Sequence, residues 1–215
     1  MKIRDIINLD QKNRSLYVMS DLHLWHENVI KYDNRPFNSL EEMNNSILEE
    51  LYTKLKPEDI LIDLGDMFWD VKAPVCKEIL DKIPVYEFYK APGNHDRDTL
   101  YFGQQAPLSY RFKYISDILD LRVVFEKKKY RITLSHYPLQ EWNHQRRGSL
   151  MVHGHCHGNI DLDNEASKKL RVDVGYNSNL AKRVGSFLIP VQEIIKYFYE
   201  KTGGQDFFDW SNNEG

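Results

Sequence analysis

Histidine and aspartate recur along this chain in five short clusters, and each cluster follows an apolar run. The clusters comprise Asp21 and His23; Gly65 and Asp66; Gly93, Asn94, His95 and Asp96; His136; and Gly154, His155 and His157. Five of the eight histidines in the chain belong to them. Carboxylate oxygens and imidazole nitrogens are ligands for divalent metals such as Mn, Fe and Zn. The pattern therefore predicts a metal centre assembled from several loops.

The apolar runs before the clusters predict the strands that position them. Runs at 16–19, 60–62 and 85–89 indicate strands, and a helical pattern follows each of the first two. The first helix is expected to begin after Ser39, which forms a capping-box pattern with the glutamate three residues later. The second is expected to begin near Pro74, because proline suits the first helical position.

From about residue 121 the pattern becomes rich in strands. A hairpin is predicted from 122–125 and 130–134, and the later segments predict strands at 150–152, 170–174 and 186–189 and a helix at 191–200. Alternating βα units followed by strands predict two sheets packed face to face with helices outside. In open α/β sheets the loops after the strand ends converge on one edge, where ligands bind.

Length and composition limit the alternatives. At 215 residues the chain is expected to form one domain over 1–215. No apolar run approaches the ~20 residues of a membrane helix, and residues 1–5 do not resemble a signal peptide. We therefore expect no membrane partner, a cytoplasmic location and reduced cysteines at Cys76 and Cys156. The net charge of -3 argues against dedicated binding to duplex DNA.

Taken together, the five clusters resemble the calcineurin-like metallophosphoesterases, whose pattern is DxH, GD, GNH(D/E), H and GHxH. The resemblance extends from the strand at 16–19 to about Asn177. The segment 23–30 and the run Arg35, Pro36 and Phe37 are also similar to a small prokaryotic and phage-type subgroup of that superfamily. The resemblance implies a hydrolase of phosphate esters with a four-layer αββα sandwich of two mixed β-sheets flanked by helices.

The resemblance also implies two divalent metal ions, with Mn favoured over Fe or Zn, and it assigns their ligands. One ion would be held by Asp21, His23, Asp66 and His157, and the other by Asp66, Asn94, His136 and His155. The shared aspartate would bridge the ions with its two oxygens, which suits ions about 3.5–4 Å apart.

The implied reaction is hydrolysis, in which a hydroxide held between the ions attacks phosphorus in line. His95 would protonate the leaving oxygen, and Asp96 would orient His95. The rival interpretation is a protein-binding module that keeps the fold without catalysis. Such relatives typically lose the acid or the ligands, whereas the set is intact here.

The motifs do not select the leaving group. A phosphodiester is favoured, such as a cyclic nucleotide or a nucleic-acid end, because Arg35, Arg146 and Arg147 are the only nearby cations that we can name for a monoester dianion. Phosphomonoesters and pyrophosphate links stay open. The expected partner is a small phosphate ester, a nucleotide or an oligonucleotide, and the sequence does not indicate an oligomeric state.

Residues near the first cluster carry further predictions. Arg35 and His26 are predicted to bind substrate, because both follow the first cluster closely and a guanidinium suits phosphate oxygens. The alternative is that Arg35 anchors its own loop through a surface ion pair. Asn28 is expected to cap or start a short helix.

Two further predictions concern the last cluster and the C-terminal segment. His153 is expected to pack beside the ligands without binding metal, and Cys156 is expected to point away from its two histidine neighbours in an extended segment. The aromatic residues Phe207, Phe208 and Trp210 are expected to cover an apolar surface patch, with an oligomer contact as the alternative.

Overall fold

The computed structural model describes residues 2–11, 13–96 and 108–204. Within these residues the strands are Lys2–Asn8 (β1), Leu16–Met19 (β2), Ile60–Asp63 (β3), Glu87–Lys90 (β4), Tyr114–Ile115 (β5), Ile118–Phe125 (β6), Lys128–Ser135 (β7), Leu150–His153 (β8), Arg171–Asp173 (β9) and Ile189–Pro190 (β10). The α-helices of the same residues are Glu27–Tyr32 (α1), Leu40–Lys54 (α2), Ala73–Lys82 (α3), Asp161–Ala166 (α4), Asn179–Val184 (α5) and Val191–Lys201 (α6).

These strands form two mixed sheets. One sheet has the order β1-β6-β7-β8-β9, and the other has the order β10-β2-β3-β4-β5. In the second sheet β2, β3, β4 and β5 are parallel to one another, and β10 is antiparallel to β2. In the first sheet β6 and β7 form an antiparallel hairpin, and the other pairings are parallel. The predicted α/β fold with two mixed sheets is confirmed.

Alternation along the strands separates the two apolar cores. Val18 and Ile62 point into a core that also contains Leu121 and Val152 of the first sheet, so this core lies between the sheets. The intervening residues of the second sheet, such as Leu61, pack against a second core that includes buried residues of α2 and α3. This is the in-and-out pattern of strands that are covered on both faces.

Local signals explain where several elements begin. The Ser39 side chain accepts the N–H of Glu42, so the predicted start of α2 is confirmed. A proline lies in the first turn of α3, as predicted. The predicted strand at 186–189 is reduced to Ile189–Pro190, because the Ser186 hydroxyl accepts the N–H of Leu188 and turns the chain.

The strand β1 was not predicted. It is an edge strand that pairs with β6 alone, and charged residues interrupt its apolar pattern. Across the described part of the chain, no helix is long and apolar enough to cross a membrane. The predictions for Phe207, Phe208 and Trp210 fall outside the described residues.

Candidate metal centre

The predicted ligand loops meet at one edge of the two sheets. The His23 N–H donates to the carbonyl of Asp66 at 3.0 Å, which joins the loops after β2 and β3. The Gly154 N–H donates to the carbonyl of His136 at 3.0 Å, which joins the loops after β7 and β8. The parallel strands therefore bring their carboxyl ends together, as the sequence predicts.

The backbone at this edge is unusual. Positive φ angles occur at Asp21 (57°), His23 (50°), Asp66 (56°), His155 (68°) and His157 (50°). Left-handed backbone is uncommon outside glycine, although aspartate and histidine tolerate it better than most residues. The prediction of an extended segment around Cys156 is therefore wrong, because the chain turns on both sides of this half-buried cysteine. Strained backbone of this kind clusters at functional sites.

Two glycines allow the loops to approach one another closely. A Cβ atom on Gly93 would lie 2.1 Å from Oδ1 of Asp66, and a Cβ atom on Gly154 would lie 1.9 Å from Oγ of Ser20. Both distances are impossible for real atoms. Only glycine fits at these positions, which explains the glycines of the third and fifth clusters.

Each of the two central carboxylates has one oxygen held by a backbone amide. Oδ2 of Asp21 accepts the N–H of His155 at 2.9 Å, and Oδ1 of Asp66 accepts the N–H of His95 at 2.9 Å. The other oxygen of each carboxylate faces the imidazoles. These hydrogen bonds fix the orientation of both carboxylates.

Two histidines are oriented in the same way. Nδ1 of His136 donates to the carbonyl of Leu64 at 2.7 Å, and Nδ1 of His157 lies 2.6 Å from Oδ2 of Asp33. In both rings Nε2 is left facing the centre. A hydrogen bond that holds Nδ1 while Nε2 is available is the usual arrangement of a metal-ligating histidine.

The free atoms form two neighbouring groups of possible metal ligands. One group contains Asp21, His23 and His157, and the other contains Asp21, Asp66 and His136; within each group the ligand atoms lie within 4.8 Å of one another. Two further predicted ligands lie beside the second group: Oδ1 of Asn94 is 3.2 Å from Nε2 of His136, and the ring centroid of His155 is 5.0 Å from that of His136. All seven predicted ligands are thus brought to one place.

Asp21 is common to both groups. Asp66 belongs to the second group but faces a histidine of each. Its Oδ2 is 4.0 Å from Nε2 of His23 and 3.4 Å from Nε2 of His136. Its Oδ1 is occupied by the amide of His95. The carboxylate therefore presents one oxygen to both groups, whereas the sequence-based interpretation gave one oxygen to each.

Burial governs the charges of these groups. It raises the pKa of Asp21 well above its usual value and raises the pKa of Asp66 as well. Burial lowers the pKa of His23 to about 2 and that of His136 to about 4. Both imidazoles are therefore neutral at pH 7, as metal binding requires, and a cation would favour the charged form of the carboxylates.

The contacts of individual atoms fit a divalent cation. Oδ1 of Asp21 is buried, and no described residue provides it with a hydrogen-bond partner. The Nε2 atoms of His23 and His157 are 3.2 Å apart, which matches two ligands that each bind one ion at about 2.1 Å. Buried polar atoms normally have partners, so this cluster suits an ion with oxygen and nitrogen ligands.

His95 lies at the solvent side of the centre. Its side chain is 36% exposed, and its Nε2 is 4.0 Å from Oδ2 of Asp66. Asp96 does not orient it, which corrects the sequence-based prediction. The Asp96 carboxylate accepts the N–H groups of Gly93 and Asp66 and pairs with Lys90 at 3.1 Å.

Lys90 and its partners form a buried ionic cluster that sequence reasoning missed. Lys90 ends β4 and pairs with Asp63, its cross-strand neighbour at the end of β3. Burial alone would raise the pKa of Asp96, but Lys90 and two backbone N–H groups outweigh it and lower that pKa. The cluster supports the loops that carry Asp66 and His95. The ionic cluster could have been predicted only from the pairing of β3 with β4, which places Asp63 beside Lys90.

Arg35 supports the surrounding backbone, and its burial does not fit the predicted contact with substrate. Its side chain is fully buried, and its guanidinium donates to the carbonyls of Asp21 and Leu22 at 2.8 and 2.7 Å. It also donates to Oδ1 of Asn177 at 3.0 Å and stacks on the ring of Tyr176 at 4.1 Å. Arg35 also pairs with Asp33 at 3.4 Å. The alternative, in which Arg35 anchors its own loop through an ion pair, therefore agrees with the structure except that the pair is buried and not at the surface.

His26 caps α1, a role predicted for Asn28. Its Nδ1 accepts the N–H of Val29 at 2.8 Å, and its ring centroid lies 3.9 Å from that of Trp69. His26 thus lines the approach to the centre with one nitrogen already used. His153 is buried beside the site, and its Nε2 contacts Asn164 at 3.2 Å.

Comparison with known proteins adds to this description of a two-sheet α/β protein with a metal-binding edge. The family model of the calcineurin-like phosphoesterases matches residues 15–178. An uncharacterized protein of Methanocaldococcus jannaschii, MJ1445, is 32% identical over 147 residues, which cover 68% of this chain and 71% of that protein.

Two solved structures are also similar. A protein of unknown function from Aquifex aeolicus, AQ665, has a TM-score of 0.59 and 25% identity, with 86% of this chain and 100% of that chain covered. The Pseudomonas putida nuclease MPE has a TM-score of 0.39 and 18% identity, with 66% and 61% covered. The second similarity is too low to transfer anything to this chain.

The fold and the clustered ligands are those of a metal-binding α/β protein, and the family model identifies its class as phosphate-ester hydrolases. The chain belongs to the calcineurin-like phosphoesterase family. Membership implies metal-dependent hydrolysis of a phosphate ester, and the groups of possible metal ligands at the sheet edge agree with that activity.

Proposed function

We propose that this protein is a phosphodiesterase that uses two divalent metal ions, with Mn favoured, and His95 as general acid. The observation that carries the proposal is the position of Asp66, whose Oδ2 is within 4.0 Å of His23 and 3.4 Å of His136. One carboxylate oxygen that faces two sets of imidazoles suits a ligand shared between two ions. When bound, the ions would polarise the phosphate and lower the pKa of an attacking water.

The chain's own residues would divide the ligands between the two ions. We assign Asp21, His23, Asp66 and His157 to one ion, and Asp66, Asn94, His136 and His155 to the other. The first set is the more buried, whereas Asn94 and His155 of the second set are exposed. Substrate would therefore approach from the side of the second set.

His95 is proposed to protonate the leaving oxygen. Its backbone N–H is held by Oδ1 of Asp66, so the residue is fixed beside the shared ligand while its imidazole remains partly open to solvent. An imidazole in this position can reach an oxygen of a bound phosphate without itself being a metal ligand. Proton donation of this kind is typically worth 10²–10⁴ in rate.

The charges around the centre favour a diester. A monoester dianion benefits from cationic side chains besides the metals. Arg35 and Lys90, which lie next to the site, are buried and paired with carbonyls or carboxylates. Arg146 and Arg147 precede β8, whose other end carries the site. Among the described residues, these arginines and this lysine are thus not placed to clamp a dianion.

Replacement of Asp66 by alanine tests the metal assignment. The variant should lose both ions, because it removes the oxygen that faces both groups, and activity should vanish. Elemental analysis of the purified protein provides the measurement. Two ions per chain in the variant, as in the parent, would contradict the shared-ligand assignment.

The diester preference is tested separately. The kcat/KM value for bis(p-nitrophenyl) phosphate should equal or exceed that for p-nitrophenyl phosphate at the same pH and with the same metal. A monoester preference above tenfold, about 1.4 kcal/mol in transition-state free energy, would contradict it. It would also require a cationic group other than Arg35, Lys90, Arg146 and Arg147.

A further inference from the structure

A cleft beside the candidate metal centre is lined by aromatic rings. It has a volume of about 580 Å³ and lies between α1 and the loop after β3. Its aromatic lining consists of Trp25, His26, Tyr32 and Trp69. Two of the four tryptophans of the chain therefore face one cleft.

The cleft is continuous with His95. The ring centroid of Trp69 lies 4.3 Å from that of His95, 3.9 Å from that of His26 and 5.9 Å from that of His23. Trp69 thus forms the wall between the cleft and the centre. Whatever group occupies the cleft is next to the proposed general acid.

The aromatic rings of the cleft are left open to solvent. Tyr32 is 78% exposed although it ends a helix, and Trp25 and Trp69 are only partly buried. A single exposed aromatic residue needs no explanation. Three of them around one cleft that adjoins a catalytic group provide surfaces on which a planar ring can stack.

The charge of the described residues that line the cleft disfavours a second phosphate group there. The described residues that line it include the carboxylates of Glu27 and Asp70, and none of these lining residues is lysine or arginine. Two negative charges without a cation would repel a polyphosphate chain. The same surroundings tolerate an uncharged ring, and carboxylates accept hydrogen bonds from exocyclic amino or ring N–H groups.

We infer that the cleft binds a nucleobase, so that the substrate is a phosphodiester whose leaving alcohol is a nucleoside. This inference rests on the proposed function. His95 protonates the leaving oxygen, and the cleft begins at His95, so the base in the cleft belongs to the leaving group. Water adds to phosphorus and loses a proton to solvent, the bond from phosphorus to the nucleoside oxygen breaks, and that oxygen takes a proton from His95. His95 then regains a proton from solvent. The products are a phosphomonoester and a free nucleoside hydroxyl.

The test compares a dinucleoside monophosphate with two analogues, each with an abasic sugar in place of one nucleoside. For the parent protein with Mn²⁺, kcat/KM should fall roughly tenfold when the leaving nucleoside loses its base, within the range for one base stacked on an aromatic side chain. The same fall should not occur when the base on the other side is removed. Equal rates on all three substrates would overturn the inference.

Tyr32→Ala and Tyr86→Ala form a matched pair of variants. Tyr86 is 79% exposed, close to the 78% of Tyr32, but it directly precedes β4 and so lies at the opposite end of the sheet from the centre. Tyr32→Ala should bring the ratio of dinucleoside to abasic substrate toward one, and Tyr86→Ala should keep the parental ratio. An unchanged ratio in Tyr32→Ala and in Trp69→Leu would overturn the inference.

The ratio of kcat/KM for the dinucleoside to kcat/KM for the abasic substrate tests nucleobase binding separately from the proposed phosphodiesterase activity. Trp69→Leu also removes a neighbour of His95, but an effect on His95 slows both substrates and leaves their ratio unchanged. If the protein hydrolyses bis(p-nitrophenyl) phosphate but shows no preference for a substrate with a base, nucleobase binding in the cleft is refuted and the proposed phosphodiesterase activity is supported. No hydrolysis of any diester with any divalent metal would refute both. Comparison of the dinucleoside with a single-stranded oligonucleotide shows which source of the nucleoside is preferred.

Discussion

Replacement of His95 by glutamine is expected to slow hydrolysis while both metal ions are retained. The backbone N–H of His95, which holds Asp66, is unaffected by a change of side chain. Glutamine keeps a neutral N–H donor of similar size but cannot transfer a proton. The variant therefore isolates proton donation from the positioning of the metal ligands.

The exposure of His95 determines the size of the effect. General-acid catalysis is typically worth 10²–10⁴, but the His95 side chain is 36% exposed, so solvent water can partly replace it. We expect the lower part of this range for alkoxide leaving groups, a loss of about 10²–10³, or about 2.7–4.1 kcal/mol in activation free energy. For p-nitrophenolate, which leaves without much protonation, the loss should be less than about tenfold.

The assay is a series of diesters with leaving groups of increasing pKa, with kcat measured for parent and variant under the same conditions. The difference between the two proteins should widen as the leaving group becomes more basic. Elemental analysis serves as the control, since the variant should contain as much metal as the parent. Equal losses on p-nitrophenyl and alkyl esters would refute general-acid catalysis by His95, and loss of metal would place His95 among the ligands.

Three further variants test the surroundings of the centre. Lys90→Met should lower the free energy of unfolding by about 3–5 kcal/mol in urea titrations, because it leaves buried carboxylates without a counterion; a loss under 1 kcal/mol would contradict this. Asp33→Ala should weaken metal binding about 10–100-fold, because His157 loses the hydrogen bond that orients it, whereas Asp33→Asn should lose less; unchanged metal affinity in the alanine variant would argue against the orienting role. Burial raises the pKa of Asp161 to about 6, so the folded protein retains this proton more strongly than the unfolded chain; relative to Asp161→Asn, the parent should lose stability as the pH rises from about 4 to about 6, and a constant difference would contradict the raised pKa.

The strands and the ligand loops could be predicted because each depends on a short-range signal. Apolar runs marked β2, β3, β7 and β8, and polar residues directly after the runs marked the loops. The convergence of these loops then follows from the general behaviour of parallel strands. This is why all seven predicted ligands lie at one edge, although the first and the last are 136 positions apart in the sequence.

The supporting contacts could not be predicted in the same way, because they depend on pairings between distant segments. The pairing of Lys90 with Asp63 requires the register of β3 against β4. The contact of Asp33 with His157 joins residues 124 positions apart. The role of Asp96 was mistaken for the same reason, since its partner Asp66 belongs to a different loop.

Arg35 shows how burial decides between two roles that a sequence leaves open. A guanidinium near a phosphate site can bind substrate or hold the backbone, and both uses require the same five N–H donors. Here those donors are directed to the carbonyls of Asp21 and Leu22 and to Asn177, so the side chain orders the loop that carries the first two ligands. Lys90 is used similarly under the loops of Asp66 and His95. Because these two cations support the predicted ligands, the proposed function relies on bound metals for the positive charge that meets the substrate. Two divalent ions would be better matched to a diester monoanion than to a more highly charged phosphate.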